Sequence, residues 1–556
     1  MWKMPIGIDD FQKIRDEHYY FVDKTDFIRQ LIDEHSAVTL ITRPRRFGKT
    51  LTMSMLEYFF SIEKEKQSRH LFDGLSVAKA GSEYMAHRGQ YPVIFLTLKG
   101  IEDFTWPEMV RDFSLFMSDL CVQHEYLLTE GIPEARIKAF QRLMDAEADE
   151  NELARSLALL MQLMKRYYGK NIILLLDEYD APIQHAWKHR FYEECISFMR
   201  KFLGNVLKTN DNLDFAVLTG VTRISKESIF SGLNNLKVCS VLDEDYADIF
   251  GFTTADVARM AADLQHEKEL PEIQDWYDGY RFGGIEIYNP WSVINFFDRG
   301  RIGDYWINTS GNSILRQLLQ FRSFQQEKYL YALLKGQSVP AVIREGLVYD
   351  DLKRHKDALY SMLVTTGYLT VVEKRQMPGG PFCRLQIPNK EIRDAYQFEI
   401  LQRMKDTMAV SDLYAMLDAL LCGDAETFSD DLQHYIAQFV SAYDAANKES
   451  FYHGLLLGMT ALVLNDYTVE SNRESGYGRF DLAIFPKEMG RAGVIMEFKV
   501  AADENEMEEK AQEALQQIED REYVTEFQKR GVKEVWKYGI AFCGKKVCVA
   551  KGSEEQ

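Results

Sequence analysis

Three residues near the N-terminus carry the first chemistry. In "TRPRRFGKT", Thr42 to Thr50, the run Gly48-Lys49-Thr50 completes the second half of a G-x-x-x-x-G-K-[ST] phosphate loop. In such a loop backbone amides surround the phosphates, the lysine meets the β and γ groups, and the hydroxyl meets magnesium. The first glycine position holds Arg43, and Arg45 and Arg46 follow, so a basic turn is the competing reading. A second constellation stands in "IILLLDEYDAP": Asp177 to hold magnesium and Glu178 to polarise the water that attacks a γ-phosphate. Two acids at a strand end are also common in α/β proteins. "DFAVLTGVTRIS" adds Thr219, Thr222 and Arg223, with Arg223 either a sensor of developing phosphate charge or a turn arginine paired to a local acid.

A third set lies in "GRFDLAIFPKEMGRAGVIMEFKV". Asp481 opens one strand, and Glu497 and Lys499 alternate along the next, which places their side chains on one face. An acid and a lysine inside an apolar strand need a partner, because an unpaired buried charge is costly. A divalent metal on Asp481 and Glu497 supplies one, with Lys499 orienting or deprotonating the water that attacks a phosphodiester. A structural carboxylate–lysine pair is the alternative.

These groups require rigid elements beneath them. "AVTLIT", "YPVIFLTL", "NIILLL" and "DFAVLTG" are short, continuously apolar runs separated by amphipathic helical stretches, the pattern of a parallel sheet covered on both faces. Lys49 and Asp177 are accordingly expected on neighbouring strands. The texture changes after residue 244: residues 245–395 read as mainly helical, ending in a hairpin of "GYLTVV" and "FCRLQIP" joined by "KRQMPGGP", as in a winged helix. Residues 396–556 read as helices followed by alternating strands, a small α/β domain.

The 556 residues exceed one ordinary domain, and 46% hydrophobic with 27% charged residues describes a globular chain. A formal charge of -19 opposes a general cationic clamp on nucleic acid, so such contacts are expected to be local, through Arg473 and Arg479, or metal-assisted. Seven cysteines without a CxxC pair fit free thiols in a reducing cytoplasm. The sequence contains no apolar run of bilayer length. His185 and His189, one helical turn apart in "HAWKH", have zinc-compatible spacing but lack the glutamate of a hydrolytic HExxH site. The aromatic set Trp276, Tyr277, Tyr280 and Phe282 fits a domain core better than base stacking.

Taken together, "RPRRFGKT", "LLLDEYDAP", "LTGVTRISKESIFSGLNN", "YNPWSVINFF", "YWINTSGN" and "IPNKEI" resemble the AAA-ATPase-like family of bacterial proteins with a C-terminal nuclease-superfamily domain. The resemblance implies an AAA-like P-loop ATPase over residues 1–244, a helical lid with a winged-helix-like part over 245–395, and a PD-(D/E)XK nuclease-like domain over 396–556. It makes Arg43 a family feature of the loop and implies that Arg43, Pro44, Arg45, Arg46, Phe47, Gly48, Lys49 and Thr50 hold nucleotide. It also implies that Glu449 completes the metal set of Asp481 and Glu497, with Gln517 beside it. The expected cofactors are ATP and Mg2+, and the expected partners are ATP, DNA or RNA, and a further copy of the chain, with no membrane. A regulatory switch whose C-terminal domain binds a partner without cutting is the alternative function. A metal-dependent hydrolase built on His185 and His189 is a third.

Overall fold

The structure is a computed structural model describing residues 2–223, 229–230, 234–307, 315, 329–330, 332–344, 346, 356–378, 380–405, 410–439, 449–475, 478–521 and 523–552. The chain forms two compact units. The first comprises Met1–Gly311 with Pro340–Ile392, and the second Asn312–Val339 with Arg393–Gln556.

The first unit is built on five strands: β1 Val38–Thr42, β2 Val93–Thr97, β3 Ile172–Asp177, β4 Leu213–Gly220 and β5 Leu236–Cys239. All pairings are parallel, in the order β2-β3-β4-β1-β5. Every residue of β1 and β3 is buried, which explains why their sequences are apolar throughout and do not alternate. The expectation that the loop strand and the acid strand are neighbours is corrected, because β4 lies between them. Registers of Ile41 with Thr219, Thr42 with Gly220 and Thr97 with Asp177 bring the C-terminal strand ends level. At such an edge, loops from separate strands converge on a ligand.

The stretch after residue 244 is helical, with a small antiparallel sheet of Phe252–Thr253, Tyr280–Phe282 and Ile285–Tyr288. Of the aromatic set, Tyr277, Tyr280 and Phe282 are buried, in keeping with a core role. The expected hairpin is present as β6 Thr370–Met377 and β7 Gly380–Gln386, with strands that run further into "KRQMPGGP" than the apolar runs suggest. Polar residues extend the ladder because they pair across it, as in Lys374 with Cys383 and Arg375 with Phe382; the Arg375 side chain stays in solvent and Lys374 Nζ donates to Leu242 O at 2.9 Å.

Within this stretch a fully buried carboxylate, Glu391, accepts hydrogen bonds from the Trp306 amide at 2.6 Å and the Ser292 hydroxyl at 2.7 Å. Burial, helped by nearby Asp304, pushes its pKa up to about 8 against those hydrogen bonds. The folded state therefore keeps a proton that the unfolded chain has released. This contribution to stability is complete below the ordinary glutamate range and is lost as pH rises through about 8. Glu391→Gln is expected to remove that dependence, so between pH 6 and 8 the unaltered protein should lose roughly 2–3 kcal/mol relative to the variant. Unfolding midpoints of both proteins at the two pH values measure it; parallel pH profiles would sink the assignment.

The second unit carries five strands, β8 Tyr467–Ser475, β9 Gly478–Pro486, β10 Gly493–Val500, β11 Val535–Cys543 and β12 Lys546–Lys551, ordered in sequence across one sheet. The β10–β11 pairing is parallel and the others are antiparallel, so the sheet is mixed. The parallel pair needs a crossover, which helix Met507–Asp520 provides. Among the described residues no helix is long and apolar enough to cross a membrane.

Candidate functional site

The loop between β1 and the helix α1, Lys49–Phe60, sits at the level edge of the first sheet. Gly48 precedes the helix with φ 83°, a left-handed conformation natural to glycine. The first intrahelical bond runs from Thr52 N to Gly48 O, so the amides ahead of it are the donors that every helix start leaves over. Lys49 is buried, and its Nζ donates to the carbonyls of Arg43 at 3.0 Å and Pro44 at 2.8 Å. Burial draws its pKa down, opposed by Glu178, Asp177 and Asp180. The ammonium is thus held on the loop's own carbonyls while the three carboxylates favour its charged form.

Asp177, at the end of β3, accepts from the Thr50 hydroxyl at 2.7 Å and from the Thr219 hydroxyl. The intervening strand β4 therefore reaches the acid through Thr219 and the loop through Gly220 O, which accepts from the Arg43 amide. A carboxylate oxygen and a hydroxyl in direct contact beside a buried ammonium fit the ligand set of a magnesium–triphosphate complex. Glu178 takes φ 51°, uncommon outside glycine, which turns it out of the strand line. Burial raises its pKa, against the pull of Lys49.

The side chains of two loop residues are packed into the interior. Arg43, anticipated among the phosphate contacts, has its guanidinium fully buried and donating to the carbonyls of Thr42, Cys239 and Tyr246 at 2.9, 3.0 and 3.2 Å. It lies over the rings of Phe282 and Phe250, and burial brings its pKa down to about 10. Its amide also donates to Gly220 O, so Arg43 braces β1 and the segment after β5, and its donors are unavailable to phosphate. A glycine there would leave that space unfilled. Phe47 is likewise buried, edge-on to Tyr280, and anchors the loop from below. Arg45 and Arg46 are exposed.

Asp180 is marked by no motif. Its carboxylate accepts from the amides of Val221 and Thr222 and from the Thr222 hydroxyl, the latter two at 2.7 Å, and so fixes the turn that delivers Arg223. Gly220 permits the approach, since a Cβ there would stand 2.6 Å from Asp180 Oδ1. The signal is in the sequence: three acids stand within four residues, and the expected nucleotide chemistry accounts for only two of them. Residues 224–228 and 231–233, which carry most of "SKESIFSGLNN", lie outside the described residues.

In the second unit Asp481 and Glu497 meet where the β9–β10 ladder stops at Leu482 and Met496. The Phe498 amide donates to Asp481 Oδ2 at 2.8 Å and the Asp481 amide to Glu497 Oε2 at 3.3 Å, so each carboxylate takes a bond that the parting strands release. Gln517, on the crossover helix, donates to Glu497 Oε1 and accepts from Lys499 Nζ at 2.7 Å. Burial raises the Asp481 pKa, with Lys499 opposing. A buried carboxylate, Glu497, and a half-buried one, Asp481, near the Lys499 ammonium form a donor set suited to a hard divalent cation. Glu449 is the first residue of helix Glu449–Thr460; its side chain and those of Arg473 and Arg479 lie outside the described residues. Among the described residues no three His, Cys, Asp or Glu side chains form a metal-ready group, the pair His185 and His189 included; these two stack at 4.4 Å.

Residues 5–230 match the family model described as predicted AAA-ATPase, and residues 447–552 match that of the PD-(D/E)XK nuclease superfamily. A protein of Azotobacter chroococcum mcd 1, described as an uncharacterized protein in the vnfD 5' region, is 28% identical over 542 residues, 95% of this chain and 94% of its own. The two matched stretches fall on the parallel sheet and on the mixed sheet.

Proposed function

We propose that this protein binds and hydrolyses ATP at the Lys49–Asp177 site and that its second unit is a nuclease acting on DNA or RNA. The observation that carries the first half is the Thr50–Asp177 contact beside the buried Lys49 ammonium. Lys49 neutralises the β and γ oxygens, the amides of the loop and of the α1 start receive them, and Glu178 takes the proton of the attacking water on its carboxylate. Arg223, delivered by the Asp180-braced turn, senses the γ-phosphate. In the second unit Lys499, held by Gln517, orients the water aimed at the phosphodiester. Thr50 and Asp177 in one site, and Asp481, Glu497 and Glu449 in the other, would hold magnesium, which would neutralise charge at phosphate oxygens. Working positions for the protein are the cytoplasm and a homo-oligomer.

The alternative, a switch whose second unit binds without cutting, draws support from Asp481 and Glu497 both being engaged by backbone amides. ATP turnover measured alone and with single-stranded DNA, duplex DNA and RNA tests the reading. Stimulation by one class, with magnesium-dependent scission of it, is the expected result. No turnover under any condition would sink the ATPase half, and turnover without scission would favour the switch.

A further inference from the structure

Three stretches, "YNPWSVINFF", "YWINTSGN" and "IPNKEI", have no part in the chemistry above, yet the structure links a residue of each to the phosphate loop, directly or through one another. The Trp306 indole N–H donates to the Arg45 carbonyl at 3.0 Å. The Arg46 guanidinium lies 4.4 Å from the ring centroid of Trp291. The tryptophans are tied to one another, because the Trp291 indole N–H donates to Tyr305 O at 3.0 Å. Glu391 closes the arrangement by accepting from the Trp306 amide and from Ser292, the neighbour of Trp291.

What these contacts hold is an uncommon backbone. Arg46 has φ 68°, the left-handed region that non-glycine residues avoid. Such a conformation persists where its surroundings over-determine it. A trans peptide points its C=O and N–H in opposite directions, so fixing Arg45 C=O on Trp306 turns the Arg46 N–H away from Trp306. Alternation of left-handed Arg46, ordinary Phe47 and left-handed Gly48 makes successive amides converge into an anion-binding concavity.

We propose that Trp306 and Trp291 are positioning residues for the phosphate loop, holding the Arg45–Arg46 peptide so that the Arg46 N–H faces nucleotide phosphate. This rests on the ATP reading above. Loss of the clamp lowers the population of the competent loop, and apparent affinity falls by that fraction.

The test uses full-length protein and ATP itself, with binding followed by calorimetry and turnover by phosphate release. Trp306→Phe, which removes only the N–H donor and some ring area, is expected to raise the Kd for ATP by about five- to tenfold with kcat within about twofold. Trp291→Leu should act in the same direction. Adding Arg46→Gly to Trp306→Phe should restore affinity, since glycine adopts this φ without penalty, a rescue that a purely structural tryptophan would not permit. Unchanged Kd in both tryptophan variants, while Lys49→Ala abolishes binding, overturns the clamp and spares the ATP site. No ATP binding by the unaltered protein overturns both. Failure of both tryptophan variants to fold, judged by circular dichroism, also overturns it, because the tryptophans would then be framework.

Discussion

Glu178→Gln is expected to slow ATP hydrolysis by about 10²- to 10³-fold while leaving ATP affinity within a few-fold of the unaltered protein, the range for losing a positioned general base. Glutamine preserves the size of the side chain and the left-handed backbone at this position, and it cannot take a proton from water. Of the groups assigned to phosphate and magnesium, Thr50 and Asp177 keep their hydrogen bond to each other and Lys49 keeps its bonds to the Arg43 and Pro44 carbonyls. Burial that raises the Glu178 pKa strengthens it as a base and shifts its titration upward. Its active form is the carboxylate, so turnover should fall as pH drops through a limb lying above the ordinary glutamate range. That limb should be missing in the variant. Phosphate release and equilibrium binding, measured from pH 5 to 9, check both statements; equal loss of binding and turnover would assign Glu178 to nucleotide binding instead.

In the second unit, Glu497→Ala is expected to lower magnesium-dependent cleavage by roughly 10³-fold, since several kcal/mol of charge stabilisation depend on the metal being held. ATP turnover should be unchanged, because the Lys49 site lies in the other unit. The substitution also strips acceptors from the Asp481 amide and Gln517, which costs about 1–3 kcal/mol for a buried donor left unpaired. Glu497→Gln separates the effects, as it offers the Asp481 amide an oxygen but brings no charge to a metal. Cleavage lost in both variants with stability largely kept in Glu497→Gln is the expected pattern. Full cleavage by Glu497→Gln would remove the metal assignment.

Both predictions draw on residues that could be picked out in the linear chain. Lys49 and Thr50 follow a glycine after an apolar run, Asp177 and Glu178 end another, and Glu497 and Lys499 share the parity that sets one strand face. Such local signals are legible because backbone period and side-chain type act within a few residues. The sheet of the first unit could be anticipated for the same reason, since strands buried on both faces must be apolar throughout.

The chain by itself thus determined the class of fold, the residue types at each candidate site and the strands that bear them. Only tertiary structure decided that β4 separates the loop from the acid, that Thr219 of that strand bonds the acid, and that Arg43 is turned into the framework. It also decided that Asp180 braces the Arg223 turn and that Trp306, Trp291 and Glu391 hold the loop. The physical reason is that burial and hydrogen-bond partnership join residues up to hundreds of positions apart. Whether an arginine meets a phosphate or three carbonyls depends on which groups surround it, and no period or spacing along the chain records that.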